Sequence, residues 1–175
     1  MSGGSGCPAL AENLAITKNT NTEVTAMKKH TLALGLIAAM GFSTTALAGG
    51  AAQSIHVYKS PTCGCCGDWI DHLEENGFEV TATNSNDMGK IKAEAGLIPG
   101  LGSCHTAFVD GYVIEGHVPA DDIKRLLAEA PKATGLSVPG MPAGSPGMEM
   151  GDRKDHYKVI LFNEQGQTRI FNQHN

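Results

Sequence analysis

Apolar positions along the chain form one continuous run and then a series of short periodic segments. The run begins behind Met27-Lys28-Lys29-His30, extends from Thr31 to Phe42 and closes on Ala46-Leu47-Ala48. A basic start, a core of roughly twelve apolar residues and a small-x-small end predict a Sec signal peptide over residues 27–48. The alternative, a membrane anchor, needs about 20 apolar residues. Beyond the run, Ser54 to Tyr58 has strand composition, and Asp68 to Asn76 presents Trp69, Ile70 and Leu73 on one helical face before Gly77. Phe78 to Thr83 alternates as a second strand. Asn86 to Ala95 predicts a short helix capped by Ser85 or Asn86 and closed by Gly96. Cys104 to Gly116 reads as two apolar strands about Asp110-Gly111, a strong two-residue hairpin signal. Pro119 to Ala130 predicts a helix that buries Ile123, Leu126 and Leu127. Residues 135–151 are rich in Gly, Pro and Met and predict a loop without regular structure, and residues 157–172 predict a second hairpin around Asn163 to Gln167.

A strand, a cysteine loop, a helix, a strand, a helix, a hairpin and a helix, in that order, predict an α/β protein. The expected architecture is a thioredoxin-like fold with an added C-terminal β-hairpin, as one domain over residues 49–175. Residues 1–26 are a polar stretch ahead of the basic start, which is not how signal peptides are built. Met27 is therefore expected to be the true start, residues 1–26 a non-native or mis-annotated extension, and Cys7 without function. The expected location is the periplasm. A composition of 41% apolar and 18% charged residues with a formal charge of -5 has no basic excess for nucleic acid or acidic lipid, and no membrane partner is expected once the signal is cleaved. Seven Met, seven His and five Cys change the picture, since these are the soft and borderline metal donors.

Cys63, Cys65, Cys66 and Cys104 all fall in the exported domain, where idle thiols become disulfides. The Cys-x-x-Cys from Cys63 to Cys66 lies between the first strand and the first helix, where amides and the helix dipole favour thiolate, most at Cys63. Thiolate serves both disulfide exchange and metal binding. Cys65 adds a third thiol, useless to a dithiol switch and useful to a cluster. Cys104-His105 stands where thioredoxin-like oxidoreductases usually carry a cis-proline, so a fourth thiol and an imidazole are expected to face the cysteine loop. Four sulfurs exceed the needs of one cuprous ion, which makes bridging thiolates and a multinuclear site the expectation. Met141, Met148 and Met150 offer thioethers that cannot form disulfides, and their loop reads as a lid or access route for copper. Blander roles stay open: a structural or resting Cys63–Cys66 disulfide, Cys65 and Cys104 as buried small residues or a second disulfide, His117 bonded within its own turn, and the methionine loop as a plain linker. His56, His72, His156 and His174 read as surface or structural residues, and Trp69 and Met88 as packing.

The segments Tyr58 to Trp69, Ser103 to Ala107 and Val138 to Met150 together resemble the CopG family of periplasmic copper-resistance proteins, across about residues 54–175. The resemblance implies a thioredoxin-like domain with a cysteine-bridged, multinuclear cuprous cluster, and a role in copper tolerance through interconversion of cuprous and cupric ions. It matches Cys63, Cys65, Cys66 and Cys104 to the family's thiols, and His105, His117 and the loop methionines to its candidate outer ligands. Three functions follow as expectations. The first is a copper-binding protein that sequesters several cuprous ions and acts as an oxidoreductase on the metal. The second is a thiol-disulfide oxidoreductase with Cys63 as nucleophile and Cys66 as resolving thiol. The third is a passive chaperone passing one ion to other periplasmic copper-handling proteins.

Overall fold

The computed structural model describes residues 52–175; the expected extension 1–26 with Cys7 and the expected signal peptide 27–48 lie outside the described residues. The described chain runs β1 (Gln53–Lys59), α1 (Gly64–Glu75), β2 (Phe78–Asn84), α2 (Met88–Glu94), β3 (His105–Val109), β4 (Tyr112–Glu115), α3 (Ala120–Glu129), β5 (Gly135–Ser137), β6 (Tyr157–Phe162) and β7 (Thr168–His174). All seven strands form one sheet in the order β2-β1-β3-β4-β5-β6-β7. β1 runs parallel to β2 and antiparallel to β3, β4 runs parallel to β5, and the remaining neighbours are antiparallel. The molecule is thus mixed α/β with three helices among the described residues.

Alternation along the strands sorts side chains onto two faces. On one face Ile55, Val57, Ala107, Val109, Ile114, Leu136 and Val159 meet Trp69 and Leu73 of α1 and Ile123 and Leu126 of α3. On the other, Val113 and Phe162 join Leu101 in a smaller cluster. Truncating one of the fully buried leucines to alanine in such a core costs about 2–5 kcal/mol.

Four local expectations are corrected. Helix α1 begins at Gly64 rather than Asp68, so Cys65 and Cys66 lie in its first turn and Cys63 is its N-cap. Gly64 and Gly67, both poor helix formers, disguised that start. The α2 cap is Asp87, whose carboxylate accepts from Lys90 N–H at 3.1 Å, rather than Ser85 or Asn86. Within the expected loop 135–151, residues 135–137 are strand β5. Gly135 is there because β4 passes so close that a Cβ would lie 1.8 Å from the Val113 carbonyl oxygen. Finally, the C-terminal hairpin extends to His174 instead of ending at 172, and β5 joins it to the main sheet. Its Tyr157, Val159, Leu161 and Phe171 enter the main core, and Asp122 of α3 is bonded by Asn172 Nδ2 at 2.8 Å and His174 Nε2 at 2.6 Å.

Helix α3 has an unusual start. Its N-cap, Pro119, carries no side-chain acceptor, and His72 Nε2 of α1 takes the Ala120 N–H at 3.1 Å instead. An imidazole nitrogen accepts only when unprotonated. Burial holds His72 below its ordinary value of 6.5, consistent with that role. Since the unfolded chain binds the proton more readily, the cap contributes fully above about pH 6.5 and fades as pH falls through the lower folded value. His72→Phe is expected to cost about 1 kcal/mol at pH 8. In urea melts that gap should narrow at pH 5; a gap of constant size would contradict the assignment.

Candidate metal centre

The register of β1 and β3 pairs Lys59 with His105, so the turn that leaves β1 faces the residues that enter β3. That turn is closed by Cys63 N–H donating to Ser60 O at 3.1 Å, and it delivers Cys63, Cys65 and Cys66 at the N-terminal end of α1. Cys104 and His105 come from the start of β3. His117 follows β4, held by Gly116 N–H donating to His105 O at 3.0 Å.

The sulfurs of Cys63, Cys65, Cys66 and Cys104 all lie within 4.8 Å of one another. Cys63 and Cys66 form a disulfide with their Cα atoms 5.5 Å apart, so the resting-disulfide alternative is the state of this pair, while Cys65 and Cys104 are free, half-buried thiols. Cys65 Sγ lies 3.6 Å from Cys63 Sγ. A second three-donor group shares Cys104: its Sγ lies 3.1 Å from His117 Nε2 and 3.4 Å from His105 Nδ1. His117 Nδ1 is 2.8 Å from the Pro146 carbonyl oxygen, which can only accept, so Nδ1 carries the proton and Nε2 turns its lone pair to Cys104. His117 therefore bonds across to the long loop, beyond its own turn.

Burial sets the electrostatics. His105 is fully buried, and desolvation, with His117 and Lys92 adding to it, pushes it down to about 3. Its Nε2 has no hydrogen-bond partner among the described residues, an orphan that costs about 1–3 kcal/mol. Trp69 lies against the imidazole with ring centroids 4.2 Å apart and is fixed by its Nε1–H donating to Val118 O at 2.9 Å. Burial also lowers His117. Desolvation, then the neighbouring Cys65, raises the Cys104 thiol to about 11. Cys63, expected to be the most acidic thiol, does not ionise in the disulfide.

The loop after β5 sits on this site. Gly147 packs so closely on α1 that a Cβ would lie 2.6 Å from Trp69 N and 2.8 Å from Cys65 O. Ser103 Oγ donates to Gly140 O, and Gly140 N–H donates to Gly102 O at 3.0 Å. Of the loop's thioethers, Met148 is half-buried next to Gly147, while Met141 and Met150 are 54% and 61% exposed.

Sequence reasoning passed over Glu115. Its carboxylate is completely buried beside the site, where it accepts from Ser103 N–H at 2.6 Å and Thr106 Oγ1 at 2.7 Å and pairs with Lys92. The hint was available: counting outward from the Asp110-Gly111 turn sets Glu115 opposite Thr106, two residues from Cys104.

Residues 101–148 match a family described as a protein of unknown function, DUF411. Among solved structures, "Copper resistance protein copG- Form 2" is 47% identical, with a TM-score of 0.68 over 71% of this chain and 99% of that one. "Copper resistance protein copG- Form 1" is 48% identical, with a TM-score of 0.67 over 70% and 98%. No curated protein matches.

The half-buried, electrostatically disfavoured Cys104 thiolate gives the metal-free chain a signature. Alkylation of Cys104 by iodoacetamide, followed by peptide mass spectrometry, should be slow at neutral pH and keep accelerating toward pH 11. A plateau by about pH 8.5, the value of an ordinary thiol, would contradict the burial argument.

Proposed function

The chain belongs to the family of copper resistance protein CopG, and from that premise we propose that it binds copper through Cys63, Cys65, Cys66 and Cys104. The observation that carries this reading is the convergence of four cysteine sulfurs within 4.8 Å, where burial disfavours the bare Cys104 thiolate. A soft cation resolves that conflict by replacing the thiol proton. Thiolate donors favour the cuprous state, and four of them around one point suit bridging between several ions. His105 and His117, which share Cys104 with the sulfur group, are proposed as nitrogen donors acceptable to cupric ion as well. That pairing of donor types supports interconversion of the two oxidation states at one site. Met141, Met148 and Met150 are proposed to take up and release ions around the loop.

Full loading has a redox precondition. The Cys63–Cys66 bond must accept two electrons and two protons from a dithiol reductant, giving two thiols and the reductant's disulfide. The domain is proposed to be thioredoxin-like, supported by the order β2-β1-β3-β4, the parallel β1 and β2, and the Cys-x-x-Cys at the start of α1. Export to the periplasm rests on the signal-like residues 27–48.

The disulfide itself favours a second reading, thiol-disulfide exchange by Cys63 and Cys66. Metal analysis and X-ray absorption edge spectroscopy on chain reduced and copper-loaded without oxygen separate the two. The copper reading expects more than one cuprous ion per chain, fewer when the disulfide is left intact, and a loss of stoichiometry in Cys104→Ser. One zinc and no copper would overturn it. The second reading expects a Cys65→Ser/Cys104→Ser chain to reduce a disulfide substrate at the wild-type rate.

A further inference from the structure

The carboxylate of Glu115 is an expensive group to bury. An ion pair inside a protein recovers its desolvation cost only when every remaining lone pair is satisfied, and an apolar replacement is often as stable. Here both oxygens are satisfied, and by one short stretch of chain. Oε1 takes the Ser103 N–H at 2.6 Å and pairs with Lys92 Nζ; Oε2 takes the Thr106 hydroxyl at 2.7 Å, while Lys92 Nζ also donates to Thr106 Oγ1 at 3.0 Å. Ser103 immediately precedes Cys104, and Thr106 immediately follows His105. The ammonium arrives from α2, which is not part of the sulfur site.

We infer that Glu115 is a positioning residue: its carboxylate, neutralised by Lys92, straps the Ser103–Thr106 segment at both ends and thereby fixes the Cys104 sulfur and the His105 ring. The segment has no proline to restrict its backbone, and Cys104 lies just outside the hydrogen-bonded register of β3. The Thr106 end is secured by strand pairing with Tyr58 and Glu115 and by its hydroxyl's bond to the carboxylate. The Ser103 end is secured by the carboxylate's bond to its amide, together with the hydroxyl contact to Gly140. Cys104 is the one sulfur common to both donor groups, so an error in its place is felt by both. The inference rests on the copper reading for what the strapped groups do; the strap itself is independent of it.

Glu115→Gln removes the charge and replaces an acceptor with a donor. Thr106→Val removes one arm of the strap in nearly the same volume, and it decides the matter if Glu115→Gln does not fold. Cuprous affinity, read by competition with a chromophoric chelator, is expected to fall about tenfold or more in Glu115→Gln and by less in Thr106→Val. In a Cys104→Ser background both losses should shrink to the part carried by His105, whereas a general loss of stability would leave them whole. In the reduced, metal-free chain at pH 8, iodoacetamide should modify Cys104 faster in both variants while the Cys65 rate holds. Unchanged affinity in a folded variant, the same loss without Cys104, or equal acceleration at both cysteines would overturn the strap. If the wild-type chain takes no copper, the copper reading fails separately and the Cys104 rate alone decides this inference.

Discussion

The antiparallel register that sets Lys59 opposite His105 is the constraint on which the site depends. Strand side chains alternate faces, so a slip of one residue would turn His105 away from Trp69 and carry Cys104 off the cysteine loop. The register is held by the core beneath it: Ile55 and Val57 on β1, and Ala107 and Val109 on β3, must all reach α1 and α3 on the same face. Burying these apolar chains, at about 25 cal/mol per Å² removed from water, opposes the electrostatic discomfort of a crowded sulfur group. The site is accordingly strained in a chemical rather than a geometric sense. One thiol is driven toward its protonated form, two imidazoles are driven toward neutrality, and one ring nitrogen is left without a partner among the described residues.

Much of this was legible in the sequence. The placing of the cysteines where a strand passes into a helix, the Asp110-Gly111 hairpin and most of the buried face of α3 follow from period and turn chemistry. What escaped did so for identifiable reasons. Glycines mark both helix ends and close approaches, and Gly64 and Gly135 each open an element in a stretch whose composition reads as loop. Asn84-Ser85-Asn86-Asp87 offers four consecutive capping residues, and local preference cannot choose among them. The partnership of His117 with the Pro146 carbonyl and that of Glu115 with Lys92 join residues far apart in sequence, and they involve a backbone atom or a lone charge that carries no periodic signal.

Sharing is the organising idea of the centre. Cys104 serves a group of sulfurs and a group made with two imidazoles, and the carboxylate beside it serves Ser103 ahead of β3, Thr106 within β3, and Lys92 of α2. A site built this way is compact but tightly coupled. The Cys63–Cys66 bond removes two sulfurs from the soft group at once while leaving the Cys104, His105 and His117 donors untouched. The oxidation state of the chain therefore changes the candidate donors on offer, from four thiols beside two imidazoles to two thiols beside two imidazoles.

Trp69 is the chain's only tryptophan, and it lies fully buried with its ring against His105 and its indole N–H already committed to the Val118 carbonyl. Solvent does not reach it, and its hydrogen bond does not depend on anything entering the site. The protein thus carries its own optical reporter: emission excited at the red edge, where the three tyrosines do not absorb, comes from a single indole in van der Waals range of the imidazole. A change in that light is a change at the centre rather than an average over the molecule.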